Sequence, residues 1–363
     1  MATDRLDRVR RRMDEVGVDV LLLSLGADLP WLTGYTAMPL ERLTMLVLPG
    51  DDDATLVIPA LEAPRVAERP DAFSLRPWDE LQDPVGIVAD LVGSARRLAV
   101  SDRTWATFLL GLQRALPDAS WQAASGVTSP LRAVKDAVEI EALAAASAAA
   151  DRVAGALLAG DIPLIGRQER DVSAELGRRL REEGHDQVNF AIVGSGPNSA
   201  SPHHHPGERE IQAGEAVVCD FGGTMAGYCS DITRTVFTGE PPREFRDLYT
   251  VLERAQASAV AAAVTGTPCQ DVDQVARHII DDAGFGAHFI HRTGHGIGLE
   301  EHEDPYLVGG NVEPLQAGHA FSVEPGIYLA GRFGARIEDI VVATSSGPRS
   351  LNSADHGLHV VEA

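Results

Sequence analysis

The chain has 363 residues, which at ~150 residues per domain suggests roughly two domains. Hydrophobic residues make up 44% and charged residues 23% of it, with a mean hydropathy of -0.05. These values are typical of globular proteins and exclude bulk disorder and collagen-like repeats. The 53 acidic and 31 basic residues leave a net charge of -22, which argues against nucleic acid or an anionic membrane as a partner. We therefore expect a small or neutral partner.

Cysteine content and the N-terminus indicate a compartment. Three cysteines, an odd number in a long chain, do not suggest a disulfide framework and are typical of a reducing compartment. Residues 1–12 are charged and lack the apolar stretch of a signal peptide, and no apolar run approaches the ~20 residues of a membrane span. The sequence predicts a cytoplasmic protein with no membrane partner.

The first part of the chain alternates helical and strand-like segments. Residues 4–17 place apolar side chains at helical spacing and end at Gly17, and the apolar run VDVLLLS follows as a buried strand. Further strands are predicted at residues 43–48, 55–58 and 97–101, and a helix at residues 84–92. This alternation predicts an α/β domain with a mixed sheet.

Residue usage changes along the chain. All four tryptophans lie before residue 122, and all twelve histidines lie after residue 180. Gly126–Pro130 is a natural hinge, because a proline restricts the backbone of the residue before it. We therefore predict an N-terminal domain of residues 1–128 and a second domain of residues 129–363.

The second domain combines helices with paired strands. Helices are predicted at residues 136–159, 169–184, 244–264 and 272–283. Strands are predicted at residues 188–194, 215–222, 228–238, 320–328 and 335–344. Because helix pairs and hairpin-like strands do not alternate as regular βαβ units, the predicted fold class is α+β.

Acidic residues interrupt the apolar strands of this domain. Asp220 and Asp231 lie on two runs joined by a glycine-rich turn, so a hairpin would bring their carboxylates side by side. Buried like charges a few ångströms apart are unfavourable unless a cation or a proton neutralises them. His295, Glu324 and Glu338 follow downstream in similar apolar settings. Four carboxylates and one imidazole form an oxygen-rich set suited to two divalent cations such as Mn, Co or Zn.

Each of these residues also has an ordinary structural interpretation. Asp220, which is followed by two glycines, is compatible with a turn aspartate, and Glu324 before a proline with the end of a strand. Arg336 and Glu338 share one face of a strand, so they are compatible with an ion pair in which the arginine orients a metal-bound carboxylate.

Two other features have the same ambiguity. Short histidine tracts on loops, such as His203–His205, are usually only solvated. Cys229 shares the strand face of Asp231, but a buried strand thiol is commoner than a metal-ligating one.

The candidate residues and their surroundings resemble a known family. The order Asp220, Asp231, His295, Glu324, Glu338, within DFGG, SDITRT, HRTGHGIGLEEHE, EPGIY and RIED, is similar to the pita-bread dinuclear metallopeptidases, and most of all to their prolidase and aminopeptidase P group. YTAMPLERLT and LVIPALE make residues 1–128 similar to the N-terminal creatinase-like domain of that group. The resemblance implies a C-terminal pita-bread domain and a smaller α/β N-terminal domain. Methionine aminopeptidases usually lack this N-terminal domain, and creatinase lacks the full ligand set.

The resemblance implies a role for each ligand. Asp220 would chelate one metal, His295 and Glu324 would hold the other, and Asp231 and Glu338 would bridge the pair. Mn is the expected metal, with Co or Zn as alternatives. A hydroxide held between the two metals would attack the scissile carbonyl, with Glu324 as the general base.

Other residues would act on the substrate. The resemblance implies that His302 stabilises the tetrahedral intermediate or the substrate carbonyl. It also implies that His203 contacts substrate near the proline ring and that His291 lines the same pocket. Arg336, or Arg42 of a partner subunit, would favour a substrate carboxylate. The resemblance supplies no role for His204, His205 or Glu301.

The leading hypothesis is an exopeptidase that hydrolyses the Xaa-Pro bond of dipeptides, a prolidase. The compact chain favours it over an Xaa-Pro aminopeptidase that acts on longer peptides. A non-catalytic peptide-binding protein on the same fold is a third hypothesis, against which the complete ligand set argues. The family also forms homodimers, and the segment Tyr35–Thr44 is a candidate for the contact.

Overall fold

The structure, a computed structural model, describes residues 2–67 and 69–362. Its chain divides into two compact units, Met1–Arg132 and Ala133–Ala363. The segment Gly126–Pro130, which the sequence predicts as a hinge, lies instead inside a helix, Ser125–Ala133. That prediction is wrong because the amides of Val127 and Thr128 both donate to the carbonyl of Ala124 and start the helix ahead of the proline.

The first unit contains a mixed sheet of six strands flanked by helices. Its helices are α1 (Ala2–Val16), α2 (Asp28–Thr33), α3 (Pro84–Val92), α4 (Ala106–Ala115) and α5 (Ser125–Ala133). Its strands are β1 (Val20–Leu23), β2 (Met45–Pro49), β3 (Ala54–Pro59), β4 (Phe73–Trp78), β5 (Arg97–Val100) and β6 (Ser120–Ala123). The sheet order is β4-β3-β2-β1-β5-β6, with two antiparallel pairs at β2 and parallel pairs elsewhere, which confirms the predicted mixed sheet.

Local sequence explains the start of this unit. In α1 the apolar residues Leu6, Val9 and Met13, spaced three and four apart, are buried, as a helix with one apolar face requires. All four residues of β1 are buried, which is typical of a central strand covered on both faces.

The second unit contains four longer helices and twelve short strands among the described residues. Its helices are α6 (Ala137–Leu158), α7 (Glu169–Glu182), α8 (Arg243–Ala262) and α9 (Cys269–Asp282). Its first strands are β7 (Gln187–Ser195), β8 (Ala216–Met225), β9 (Tyr228–Cys229), β10 (Ile232–Thr238), β11 (Gly294–Gly296) and β12 (Glu303–Leu307). The remaining strands are β13 (Ala320–Val323), β14 (Gly326–Leu329), β15 (Phe333–Arg336), β16 (Asp339–Thr344), β17 (Gly347–Ser350) and β18 (His359–Val361). None of the helices described in either unit has the length and apolar character of a membrane span.

The strands of this unit form two five-stranded sheets and one hairpin. The first sheet has the order β18-β10-β8-β7 with β9 beside β8, the second has the order β12-β11-β13-β16-β17, and β14 pairs with β15. Apolar side chains of α6 and α7 pack with β8 and β10, while those of α8 and α9 pack with β13 and β16. Helix pairs covering separate sheets confirm the α+β class.

Three strands that the sequence predicts as continuous are interrupted at candidate ligands. Asp231 lies between β9 and β10, Glu324 between β13 and β14, and Glu338 between β15 and β16. The continuous strands were wrongly predicted because alternating apolar residues do not register such a break. At the second break, Pro325 has no amide hydrogen to donate to a strand ladder.

Candidate metal centre

The strand register brings the first two candidate ligands together. In the antiparallel pair β8 and β10, Asp220 lies opposite Thr233. Asp231 lies directly before β10, and its side chain borders the same cavity as that of Asp220. The two carboxylates thus lie side by side, as the hairpin argument predicts.

The remaining predicted ligands come from β11 of the second sheet and from the breaks beside β13 and β16. His295 on β11 places its Nε2 atom 3.3 Å from Glu324 Oε1 and 3.8 Å from Asp231 Oδ2. Glu338 forms an isolated β-bridge with Thr233. One ligand atom each of Asp231, His295 and Glu338 lies within 4.8 Å of the other two.

All of the predicted ligands border one cavity of about 510 Å³. The structure therefore brings together residues that are spread over more than a hundred positions of the sequence. The predicted ligands are Asp220, Asp231, His295, Glu324 and Glu338.

The electrostatics of this cluster favour a bound cation. Burial raises the pKa of Asp231 and of Glu338 well above the usual carboxyl range, and the neighbouring carboxylates raise both further. Burial also raises the pKa of Glu324, to about 7. Burial lowers the pKa of His295 to about 3, which leaves a neutral imidazole able to ligate. Protons or metal ions would relieve this repulsion.

Two buried carboxylate oxygens without a hydrogen-bond partner indicate whether the residues fit a metal. Asp220 Oδ1 and Asp231 Oδ1 are buried and have no hydrogen-bond partner in the described part of the chain. Buried side-chain oxygens are nearly always partnered, so each needs a ligand of its own. Carboxylate oxygens with one imidazole are donors that divalent transition metals accept. The residues therefore fit a divalent metal centre.

Arg336 is fully enclosed beside the cluster. Its Nη2 atom donates to Asp220 Oδ2 at 2.5 Å, and its Nη1 atom donates to Tyr328 Oη at 2.8 Å. Its Nε atom donates to Thr233 Oγ1 at 3.0 Å and lies 4.0 Å from Glu338 Oε2. The arginine therefore orients Asp220 directly, whereas it reaches Glu338 mainly through Thr233, whose hydroxyl donates to Glu338 Oε2 at 2.6 Å.

The predicted substrate-facing histidines border the same cavity. The ring of His302 lies 4.1 Å from that of His295, measured between centroids, and desolvation lowers the pKa of His302. His291 Nε2 lies 3.0 Å from Tyr328 Oη, and burial lowers the pKa of His291 to about 4. His203 lies on a loop and is exposed at the cavity. His291 and His302 are therefore neutral near pH 7, available as hydrogen-bonding groups.

Sequence reasoning missed several residues of this site. Tyr328 links His291 to Arg336 through its hydroxyl. Ser322 accepts a hydrogen bond from the amide of His295 at 3.0 Å and donates to Glu324 at 3.2 Å. The available signal was spacing, since Ser322 lies two residues before one ligand and thus on the same strand face.

Cys229 stands apart from the cluster. Its Sγ atom lies 3.7 Å from Asn189 Nδ2 and 3.8 Å from Thr224 Oγ1. Burial raises the pKa of this thiol to about 12, so it stays protonated. The structure favours the buried thiol over a ligand.

Family comparisons agree with this geometry. The model of metallopeptidase family M24 matches residues 135–345, and that of the creatinase/prolidase N-terminal domain matches residues 5–134. The chain belongs to metallopeptidase family M24. It is therefore a hydrolase of peptides, and the family implies divalent metal ions, which confirms the resemblance seen in the motifs.

Three similar proteins span almost the whole chain. A probable dipeptidase PepE of Mycobacterium tuberculosis is 44% identical over 352 residues, 96% of this chain and 93% of the relative. The crystal structure of dipeptidase PepE from Mycobacterium ulcerans has a TM-score of 0.94 at 44% identity and covers 100% of this chain and 98% of its own. A prolidase from Thermococcus sibiricus has a TM-score of 0.93 at 35% identity, with 98% of both chains covered.

Changing the substrate-facing histidines should separate rate from metal content. We expect His302→Ala and His203→Ala to keep their bound metal, because neither imidazole is among the proposed ligands. Each should lose ~2–4 kcal/mol of transition-state stabilisation, the usual contribution of one positioned donor. Elemental analysis and peptide hydrolysis check this, and metal loss in His203→Ala with intact metal in His295→Ala would reverse the roles of these histidines.

Proposed function

We propose that this M24 enzyme is an Xaa-Pro dipeptidase that works with two divalent metal ions. Mn is the proposed metal. The observation that carries the metal part is the cluster of buried carboxylates with two orphaned oxygens at one cavity. The dipeptidase part is supported by the names of the dipeptidase and prolidase relatives, which span almost the full chain.

The ligands would divide between the two ions. Asp220 would chelate one ion, and His295 with Glu324 the other. Asp231 and Glu338 would bridge them. When bound, such ions polarise the scissile carbonyl and lower the pKa of water.

The protein supplies the proton transfers and the hydrogen bonds. Glu324, whose carboxylate borders the cavity, would take up a proton and return it to the leaving amine. His302 and His203 would donate hydrogen bonds to the substrate carbonyl and to the proline side of the peptide. Arg336 holds Asp220 in place, and we also propose it as a source of positive charge for a substrate carboxylate.

A dedicated enzyme for Xaa-Pro bonds has a chemical reason. The bond before proline is a tertiary amide without an N–H, so proteases that pair with the substrate backbone handle it poorly. The cavity has a volume of about 510 Å³ and is lined in part by polar side chains, which is typical of a small-molecule site. A dipeptide fits within this volume.

A comparison of kcat/KM for peptides of increasing length tests this proposal. We expect the metal-loaded enzyme to cleave an Xaa-Pro dipeptide with a higher kcat/KM than a tripeptide or longer peptide with the same first two residues. A dipeptidase binds the proline carboxylate, which in a longer peptide is converted to an uncharged amide. Steady or rising kcat/KM with length would instead indicate an Xaa-Pro aminopeptidase, and equally fast cleavage of Xaa-Ala peptides would reject proline specificity.

Other expectations stay predictions at this stage. They are the cytoplasmic location, the preference for Mn over Co or Zn, and a homodimer in which the segment Tyr35–Thr44 with Arg42 contacts the partner. Metal analysis of the enzyme from its native cell and light scattering of the purified protein test the last two.

A further inference from the structure

A fully buried carboxylate lies outside the cluster of predicted metal ligands. Glu169, the first residue of α7, has no exposed side-chain surface. Its Oε1 atom accepts hydrogen bonds from the amide and hydroxyl of Ser195, at 2.8 and 2.7 Å, and from Asn198 Nδ2 at 3.0 Å. Its Oε2 atom lies 2.7 Å from His204 Nε2. None of these residues is among the predicted metal ligands.

The protonation of this pair follows from its surroundings. Burial alone would raise the pKa of Glu169, but hydrogen bonds from His204 and Ser195 outweigh burial and lower that pKa below its usual value. An ionised carboxylate only accepts hydrogen bonds. His204 therefore carries a hydrogen on Nε2 and donates the hydrogen bond to Glu169. The backbone of Glu169 is fixed as well, since its amide donates to the carbonyl of Arg209 at 3.0 Å.

His204 follows directly after His203, which borders the cavity. The side chain of His203 is exposed and makes no hydrogen bond within the described residues. Its place in the cavity therefore depends on the backbone that carries it. The amide of His204 donates to the carbonyl of Ser201 at 3.2 Å, and Arg336 Nη1 donates to the carbonyl of Pro202 at 3.4 Å. The loop is thus held weakly at Pro202 and strongly at His204.

We propose that Glu169 and His204 form a positioning pair that fixes the loop of residues 201–205 so that His203 projects into the cavity. Neither residue touches the substrate. This inference rests on the proposed function, because His203 acts on the substrate only if the enzyme cleaves Xaa-Pro peptides. It also gives a role to the second histidine of the tract, for which the sequence offers none.

A double-mutant cycle tests the pair in the metal-loaded enzyme. We expect His204→Ala to lower kcat/KM for an Xaa-Pro dipeptide by about tenfold or more, since small displacements of a reacting group are costly. In a His203→Ala background the same change should have almost no further effect. His204→Gln, whose amide can still donate to Glu169, should recover most of the loss, and the matched control His205→Ala should behave like the parent.

Hydrogen exchange provides a readout that needs no substrate. Peptides covering residues 198–206 should exchange faster in His204→Ala and Glu169→Gln than in the parent or in His205→Ala. The inference is overturned if exchange is unchanged, if His204→Ala costs less than about threefold in kcat/KM, or if its cost is the same with and without His203. A parent enzyme that does not cleave Xaa-Pro peptides would contradict the proposed function instead, and hydrogen exchange alone would then decide this inference.

Discussion

Asp231→Asn and Glu338→Gln should each abolish peptide hydrolysis and leave at most one metal ion per chain. Each change replaces an anionic oxygen of a proposed bridging ligand by an amide, and the remaining carboxylates do not hold two cations. Elemental analysis and an Xaa-Pro hydrolysis assay measure both effects. Either variant with two metals and a rate near that of the parent would show that the bridging assignment is wrong.

Asp231→Asn should stabilise the metal-free protein, although it abolishes hydrolysis by the metal-loaded enzyme. In the absence of metal, Asp231 lies buried among three other carboxylates, and its pKa is raised first by burial and then by their repulsion. Asn removes that repulsion, so metal-free Asp231→Asn should melt a few degrees above the metal-free parent. Asp247→Asn is the control, because that carboxyl side chain is 67% exposed on α8. A lower melting temperature for metal-free Asp231→Asn would contradict the charge-repulsion argument.

Arg234→Met should give the largest loss of stability of any single change away from the ligands. The side chain of Arg234 is only 1% exposed, and its Nη2 atom donates to Asp339 Oδ1 at 2.8 Å. Its Nη1 atom donates to the carbonyl of Glu338 at 2.7 Å. Removing it takes the arginine from the buried carboxylate of Asp339, which keeps His356 Nε2 at 2.6 Å as a partner. The expected cost is therefore about 3 kcal/mol in the free energy of unfolding, the lower end for a broken buried ion pair.

Denaturant unfolding of the metal-free variants measures this loss. Arg349→Met is the matched control, because Arg349 is 51% exposed and its ion pair with Glu141 should contribute only ~0–1 kcal/mol. Hydrolysis should fall together with stability, since Arg234 also donates to the backbone carbonyl of the proposed ligand Glu338. An Arg234→Met protein as stable as the parent would contradict the importance of this buried network.

That the five candidate ligands lie around one cavity could be predicted from sequence, because the signal is chemical. A carboxylate inside an apolar strand is costly, so four of them in one domain already required a common neutralising partner. Spacing supplied the rest for Asp220 and Asp231, because antiparallel pairing places residues of one strand face together. The α+β class followed from helices grouped in pairs beside hairpins.

Other parts of the site depend on tertiary geometry that a pattern does not carry. The breaks beside Glu324 and Glu338 fall inside continuous apolar runs, so only the folded chain shows that each strand changes sheets there. Tyr328 and Arg234 look like ordinary strand residues, and their roles come from contacts with distant segments. His204 is equally uninformative until its contact with Glu169, 35 residues away in sequence, is known.

Metal titration of the chelator-treated protein tests the central claim most directly. The protein would be stripped of metal, checked by elemental analysis, and then followed for hydrolysis of an Xaa-Pro dipeptide as Mn is added. We predict no hydrolysis without metal and a rise that levels off near two ions per chain, because we propose that Asp231 and Glu338 bridge two ions. Full hydrolysis by protein shown to be free of metal would contradict the account.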